Sequence, residues 1–399
     1  MNRRLLAVAL SVVSVLGFCA GTAPAQAAPA THPLHTSGRW ILDAGNHRVK
    51  LAGVNWDGAE SPEYVVAGLD KARLGDIAHW IKVNGFNSVR LPWSNEMYEH
   101  NPVVQDAYLT ANPDLKGKRA LDVFDAVVDA LGAEGLMVIL DNHVSRADWC
   151  CSGSDGNALW YTDQYPESNW INDWKGIVSR YRNRPQVVGV ELRNEVRSNG
   201  TLTPVWGGGD PATDWAAAAE RAGNAVLSVD QDLLVIVGGV NYQSDLTGVG
   251  GRPIRLSVGG RTVYAAHSYR WFVDVKDGYS AMKDQLGRQW GYLIAQGKPY
   301  TAPVWVSEFG TCLTWVSQCT QDDANFSNGI QRYLSEGDFD WAYWQLNGTQ
   351  SDSLDHGSGK PRQHGALDWY GLLNTAWNGP SDAANVDRIK ALEPVTQHP

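Results

Sequence analysis

The chain has 399 residues, with 33 Lys and Arg against 43 Asp and Glu and a formal net charge of −10. A surface of that sign repels nucleic acid and anionic lipid, so neither is an expected partner, and a neutral substrate suits it better. The length exceeds an ordinary domain but fits a barrel of about 250 residues enlarged by loop insertions.

The first residues read as an export signal. Arg3 and Arg4 form a basic start, residues 5–18 are largely apolar, and Ala25-Gln26-Ala27 supplies a small-x-small cleavage pattern. The apolar stretch is shorter than the about 20 residues a membrane span requires. Residues 1–27 are therefore read as a signal peptide, 28–37 as a flexible stub and 38–399 as a single folded domain of a secreted monomer. Cys19 would leave with the leader, and the even set Cys150, Cys151, Cys312 and Cys319 suggests disulfides in an exported protein. Cys312–Cys319 would close a short surface loop and leave Cys150–Cys151 as a vicinal pair, with the two cross-pairings as alternatives. Zinc is the competing reading, but no nearby His completes a ligand spacing, so no metal is expected.

From residue 38 to 51, strand-like residues flank Asp43-Ala44-Gly45-Asn46, a hairpin pattern. Eight short β-rich runs follow, ending near Trp56, Trp93, His143, Glu195, Gly239, Tyr269, Glu308 and Trp344. Met137-Val138-Ile139-Leu140 and Leu233-Leu234-Val235-Ile236-Val237 are continuous apolar runs, as in strands buried on both faces. Between the runs lie helical patterns. Leu121, Phe124, Val128 and Leu131 recur at helical spacing, residues 214–229 are Ala-rich behind a Thr213 cap candidate, and residues 322–334 read as another helix. Alternating strands and helices predict an α/β fold, a TIM (β/α)8 barrel preceded by a short β-hairpin. A doubly wound open sheet is the alternative, without a Gly-rich phosphate fingerprint to support it. No Ser/Thr/Pro-rich linker marks a second domain.

In such a barrel the reactive groups stand at the carboxyl ends of the strands. Those ends carry Arg90, His143, Asn194-Glu195, His267-Ser268-Tyr269, Glu308 and Trp344. Val190-Glu191-Leu192-Arg193-Asn194-Glu195 sets Glu195 at the mouth of the fourth strand, and Val306-Ser307-Glu308-Phe309 sets Glu308 at the seventh. Two carboxylates facing each other across a barrel are what cleavage of a glycosidic bond needs, one to protonate the leaving oxygen and one to attack. Each Glu alone would more readily be an exposed strand-end charge, and a lone His, Arg or Trp there would more readily be structural. They matter as a set. The chain also carries 18 Trp, enough to supply sugar-stacking rings as well as core. Trp149, Trp160, Trp206, Trp271 and Trp315 fall in loops, and Trp149, Trp271 and Trp315 are the candidate platforms.

These residues resemble glycoside hydrolase family 5 and the wider clan A of retaining glycosidases, from Gly53-Val54-Asn55-Trp56 to Trp344. The family's second-strand Arg matches Arg90, its third-strand His matches His143 and its Asn-Glu pair matches Asn194-Glu195. Its His-x-Tyr matches His267 and Tyr269, its seventh-strand Glu matches Glu308 and its eighth-strand Trp matches Trp344. The resemblance implies Glu308 as nucleophile and Glu195 as acid/base, their carboxyls about 5–5.5 Å apart. Arg90 and Tyr269 would hold Glu308 ionised by lowering its pKa. Asn194 would bond the sugar 2-OH, His143 and His267 would bond other hydroxyls or Glu195, and Trp344 would stack on the sugar. No cofactor is implied.

One departure bears on substrate. Many cellulases of the family continue Asn-Glu-Pro, whereas Val196-Arg197 follows Glu195 here. Asp141-Asn142-His143-Val144-Ser145 with Trp149-Cys150-Cys151-Ser152 is similar to a branch found in plants and actinobacteria. The expected activity is a secreted, retaining, cellulase-like endo-β-1,4-glucanase on an oligo- or polysaccharide. The alternatives are an exo-acting β-glucosidase or diglycosidase on a glycoside, and a non-catalytic carbohydrate-binding barrel.

Overall fold

The apolar runs pair edge to edge into one closed sheet. The computed structural model describes residues 30–313, 319–355 and 359–399; the leader region and Trp315 lie outside them. Eight parallel strands form the barrel: β1 (Ala52–Asn55), β2 (Ser88–Ser94), β3 (Met137–Val144), β4 (Val187–Glu191), β5 (Leu234–Gly238), β6 (Thr262–Ser268), β7 (Val304–Phe309) and β8 (Asp340–Tyr343). β8 pairs back onto β1 and closes the ring. Among the described residues, no helix is long and apolar enough to cross a membrane.

Two-residue alternation divides each strand between two cores. On β3, Val138 and Leu140 pack outward in the helix-covered cluster, whereas Met137 and Ile139 join Val263, Ala265 and Trp305 inside the barrel. The same parity carries on upward. Asp141 and His143 follow Ile139 into the barrel mouth, and His267 follows Val263 and Ala265. Periodicity therefore determines which side chains reach the site.

The barrel floor is sealed by the segment before β1. His35–Ser37 pairs antiparallel with Trp40–Leu42, and a further bridge joins Leu42 to Arg48 around the expected Asp43–Asn46 turn. The Asp43 carboxylate holds that turn by accepting from the Gly45 and His47 amides at 2.8 and 2.9 Å. Ile41 and Leu51 plug the interior cluster from below. Residues 35–37, assigned to the stub from sequence, are thus the outer strand of this hairpin. The Thr36 amide is bonded to Gly260 O at 2.8 Å.

The α-helices are α1 (Leu74–Val83), α2 (Asn95–His100), α3 (Ala120–Ala133), α4 (Glu167–Tyr181), α5 (Trp215–Val229), α6 (Gly278–Gln289), α7 (Gln321–Gly337) and α8 (Ala383–Lys390). Leu121, Phe124, Val128 and Leu131 form the buried face of α3 as their spacing predicts. The cap of α5 is Asp214 rather than Thr213, its carboxylate accepting from the Ala217 amide. α7 begins with a Thr320–Asp323 capping box. The eightfold strand–helix rhythm fails once. Between β5 and β6 the chain makes only a 3-10 turn, Thr247–Gly250, because Gly248, Gly250, Gly251, Pro253, Gly259 and Gly260 break any helical run.

Candidate active site

Arg90, fully buried on β2, organises the floor of the barrel mouth. Its Nη1 donates to Glu308 Oε1 at 2.6 Å and to Asn55 Oδ1 at 3.0 Å. Its Nη2 donates to Asn194 Oδ1 at 2.8 Å and lies 3.1 Å from Asp141 Oδ2, and its Nε donates to Glu191 Oε2. Burial alone would lower the Arg90 pKa, but Asp141, Glu191 and Glu308 together outweigh it and keep the guanidinium charged. One cation thus aims a carboxylate from β7 and the Asn194 amide from the β4 loop at the same mouth.

Glu308 also accepts from Tyr269 OH at 2.9 Å. A bulge between Ala266 and His267 brings His267 opposite Glu308 in the β6–β7 register. The His267 Nδ1 lies 2.8 Å from Glu195 Oε1 and 3.5 Å from Glu308 Oε2. One oxygen from each Glu and one ring nitrogen of His267 all lie within 4.8 Å of one another. Glu195 sits four residues past the end of β4, not at its last residue, and takes a left-handed backbone with φ 43°.

Hydrogen bonding distributes the protons in this cluster. Burial lowers the His267 pKa to about 4, so the ring is neutral. The Glu191 carboxylate can only accept, so Ser307 Oγ donates to it at 3.1 Å. Ser307 then accepts from His267 Nε2–H at 3.1 Å, which leaves Nδ1 without a proton. Nδ1 can bond Glu195 only if Glu195 is protonated. Burial raises the pKa of both Glu195 and Glu308, each to about 7. The expected lowering of Glu308 is therefore overturned: Arg90 and Tyr269 pull it down, but desolvation by burial outweighs them. With two charge-supporting donors on Glu308 and an accepting imidazole on Glu195, the shared proton rests on Glu195.

The walls are aromatic. Trp344, after β8, stacks on His143 with centroids 5.6 Å apart and planes at 15°. His143 Nδ1 is tied to Asp141 Oδ2 at 2.6 Å, and its Nε2 lies 3.3 Å from Asn194 Nδ2. Burial keeps this ring neutral. Trp149 leans on Trp344 at 5.9 Å, and Arg362 lies over the other ring system of this corner, 3.5 Å from the Trp149 centroid. Arg362 is held by Asp368 at 2.8 Å, and the Leu354 amide donates to Asp148 at 3.4 Å. His364 anchors the same wall, a strap formed by residues 350–355 and 359–368, reaching Asp70 at 3.1 Å and Glu63 at 2.9 Å, which push its pKa up to about 10. On the opposite side, Trp271 is 58% exposed and stacks on Tyr269 at 4.7 Å, an open ring face.

Cys312 and Cys319 face each other with Cα atoms 6.0 Å apart, a separation that suits a disulfide. The adjacent Cys150 and Cys151 line the mouth, their sulfurs 3.3 and 3.6 Å from Asn194 Nδ2. Trp160 and Trp206 are packing residues: Trp160 is fully buried and donates to Glu167, and Trp206 donates to Arg252 O beside Tyr264.

The family model for cellulase (glycosyl hydrolase family 5) matches residues 42–350. The chain belongs to glycoside hydrolase family 5. An endoglucanase of Paenibacillus polymyxa is 34% identical over 380 residues, covering 89% of this chain and 87% of that protein. A glycosyl hydrolase 5 family protein of Chamaecyparis obtusa is 31% identical over 389 residues, covering 92% of this chain and 67% of its own. Among solved structures, an endocellulase from the archaeon Pyrococcus horikoshii superposes with a TM-score of 0.75 at 26% identity, over 92% of this chain and 100% of that one. The same endocellulase has been solved with cellotetraose.

This family 5 glycoside hydrolase also relies on residues that strand-end reading does not find. Glu191, Asp141, Ser307 and Gln243 form the buried layer beneath the site, and none of them was among the strand-end candidates. Arg197, noted only as a departure after Glu195, is buried and donates to Glu195 O at 2.7 Å and to Ser152 O at 2.8 Å, and pairs with Asp155. A charged residue inside the apolar run Val187-Val188-Gly189-Val190-Glu191 was the available signal for Glu191, since a buried charge requires partners.

Proposed function

We propose that this chain is a secreted, monomeric, retaining endo-β-1,4-glucanase with Glu308 as nucleophile and Glu195 as acid/base. The approach of the two carboxylates carries the reading: oxygens within 4.8 Å suit direct attack, whereas inverting enzymes hold their carboxyls about 6.5–9.5 Å apart to admit water. Glu195 gives its proton to the glycosidic oxygen as Glu308 attacks the anomeric carbon, and the leaving alcohol departs. A β-linked sugar becomes an α-linked glycosyl ester on Glu308. The loss of the Glu308 charge lowers the Glu195 pKa, and its carboxylate then takes a proton from water. The resulting hydroxide bonds the anomeric carbon, the ester breaks, and the β-configured product leaves.

The endoglucanase relatives support a β-1,4-glucan substrate. The leader-like start and the relation to a major extracellular endoglucanase of Xanthomonas campestris support export. Trp344 and Trp149 would carry the sugars on the nucleophile's side and Trp271 those of the leaving group. Hydrolysis of a β-cello-oligosaccharide followed by NMR tests the stereochemistry: the β-anomer should appear first, and initial α-anomer rejects Glu308 as nucleophile.

A second reading, an exo-acting diglycosidase, is favoured by the strap, which joins the β8 loop to the β3 loop through Leu354–Asp148 and Arg362–Trp149 beside Trp344. The viscosity of a soluble cellulose derivative separates the two. An endo-acting enzyme drops viscosity well before reducing ends accumulate.

A further inference from the structure

Gln243 is fully buried and bonds to four groups of the site, yet it never reaches the cleft. Its Oε1 accepts from the Glu195 amide at 2.7 Å, and its Nε2 donates to Glu191 Oε1 at 2.8 Å and to Ser307 Oγ at 3.4 Å. Its backbone oxygen accepts from the His267 amide at 3.1 Å. The amide cannot be turned round. Glu191 offers only acceptors, so the NH2 faces Glu191 and the oxygen faces Glu195.

The backbone goes to some length to place this side chain. Asn241, Tyr242 and Gln243 are consecutive non-glycine residues at φ 52°, 59° and 56°, a region such residues rarely enter. The space is cleared by Gly238, where a Cβ would lie 2.5 Å from Gln243 Cδ. Glu195 is itself at φ 43°, and its peptide is gripped on both sides, the amide by Gln243 and the carbonyl by Arg197.

From this geometry we infer that Gln243 is a positioning residue for Glu195, setting the height and direction of its carboxyl group in both steps of the reaction. The inference rests on the reading of Glu195 as acid/base. Gln243 fixes Glu195 from behind through the amide and from above through His267, whose Nδ1 holds Oε1. It also links Glu195 through Glu191 and Arg90 to Glu308, so the two carboxylates share one buried frame. A side chain that merely filled space over Gly238 would need none of these bonds.

The test compares Gln243→Met, which keeps volume without the amide, with Glu195→Ala in the full chain. In each, kcat/KM is measured on a cello-oligosaccharide and on a dinitrophenyl β-cellobioside, with and without azide. If Gln243 positions the acid, Gln243→Met loses at least about tenfold on the oligosaccharide, within the range of general acid catalysis. It loses under about threefold in kcat/KM on the aryl substrate, whose phenolate leaves without a proton. Azide should raise its aryl turnover, since attack by azide requires no base. Equal losses on both substrates without azide rescue, or no loss on either, overturn the inference while Glu195→Ala keeps its leaving-group dependence. If Glu195→Ala itself loses equally on both substrates, the acid/base reading fails instead. Should Gln243→Met not fold, Gln243→Asn, which withdraws the amide by one methylene, is measured on the same two substrates: a selective loss on the oligosaccharide supports the inference and equal losses overturn it.

Discussion

His267 and Glu195 share a proton that the rest of the cluster assigns. The 2.8 Å contact between Nδ1 and Oε1 joins an imidazole committed to donating at Nε2 with a carboxyl group that is raised to about 7 by burial. The imidazole is held neutral, so it stabilises the acid form of Glu195 without adding a second positive charge beside Arg90.

The first prediction follows from that contact. Activity on cello-oligosaccharides should fall on the alkaline side with an apparent pKa near 7, where Glu195 loses its proton in the free enzyme. The sign for stability is definite. A carboxyl that titrates at about 7 in the folded chain against 4.5 in the reference state binds more proton when folded, so its contribution to stability falls as pH rises through that window and is level above it. Glu195→Gln lacks this titration. The stability of the variant relative to the parent should therefore grow between pH 4.5 and 7, by about 1–3 kcal/mol. Chemical unfolding at several pH values measures it, and a constant difference rejects the raised carboxyl.

Arg90 gives the second prediction. Arg90→Ala leaves Asp141, Glu191 and Glu308 buried without their cation, and removing one partner of a buried ion pair costs about 3–5 kcal/mol. Arg90→Lys keeps the charge but cannot donate to Glu308, Glu191 and Asn194 from one fork. It should unfold nearer the parent than Arg90→Ala yet lose at least about 10² in kcat, since the nucleophile is no longer aimed. Urea unfolding and steady-state kinetics separate these effects. Parent-like kcat in Arg90→Lys would reduce Arg90 to a structural counter-ion.

The residues at the mouth were legible in the sequence because parallel barrel strands converge at their carboxyl ends. Knowing which strands carry Arg90, His143, His267 and Glu308, and that their side chains share the inward parity, is enough to gather them. What lies beneath was not legible. Glu191 closes β4 but points below the mouth, to Arg90 on β2, Gln243 in the loop after β5 and Ser307 on β7, and no local pattern announces which partners come from that separation. Gln243 depends on three non-glycine residues in left-handed backbone, which propensity argues against. The fifth connection departs from the helical rhythm because its glycines and Pro253 disfavour a helix there.

The third prediction concerns the strap. Arg362 lies over Trp149 while Asp368 holds its guanidinium, so Arg362→Ala frees one wall of the cleft. A partly exposed cation–π contact contributes about 0.5–1 kcal/mol. KM for cellotetraose should rise about three- to fivefold with kcat within twofold, because the lost contact acts on bound sugar and transition state alike. Trp149→Ala should exceed it, since the ring itself is removed. A fall in kcat with KM unchanged would mean that the wall orients the catalytic groups and not the glycan.

The last prediction separates the two carboxylates by role. Glu308→Ala should abolish hydrolysis of every substrate, because without the nucleophile no glycosyl ester can form. Azide can enter the space it vacates and displace an activated leaving group once, with inversion, so a β-glycoside gives an α-glycosyl azide. Glu195→Ala should discriminate by leaving group. Cello-oligosaccharides, whose alkoxide requires a proton, should slow by at least about 10², whereas a dinitrophenyl glycoside should still esterify Glu308. That ester should accumulate as a burst, visible as a mass increase on the protein, because the base for its hydrolysis is gone. Azide should discharge it with a second inversion and give the β-glycosyl azide. The approach of the two groups to within 4.8 Å does not by itself distinguish attacker from acid, but the donors do: Arg90 and Tyr269 support charge on Glu308, and the Nδ1 of His267 supports a proton on Glu195. An α-azide from the Glu195 variant, with the burst appearing only in the Glu308 variant, would exchange the two assignments and with them the direction of the proton between Glu195 and His267.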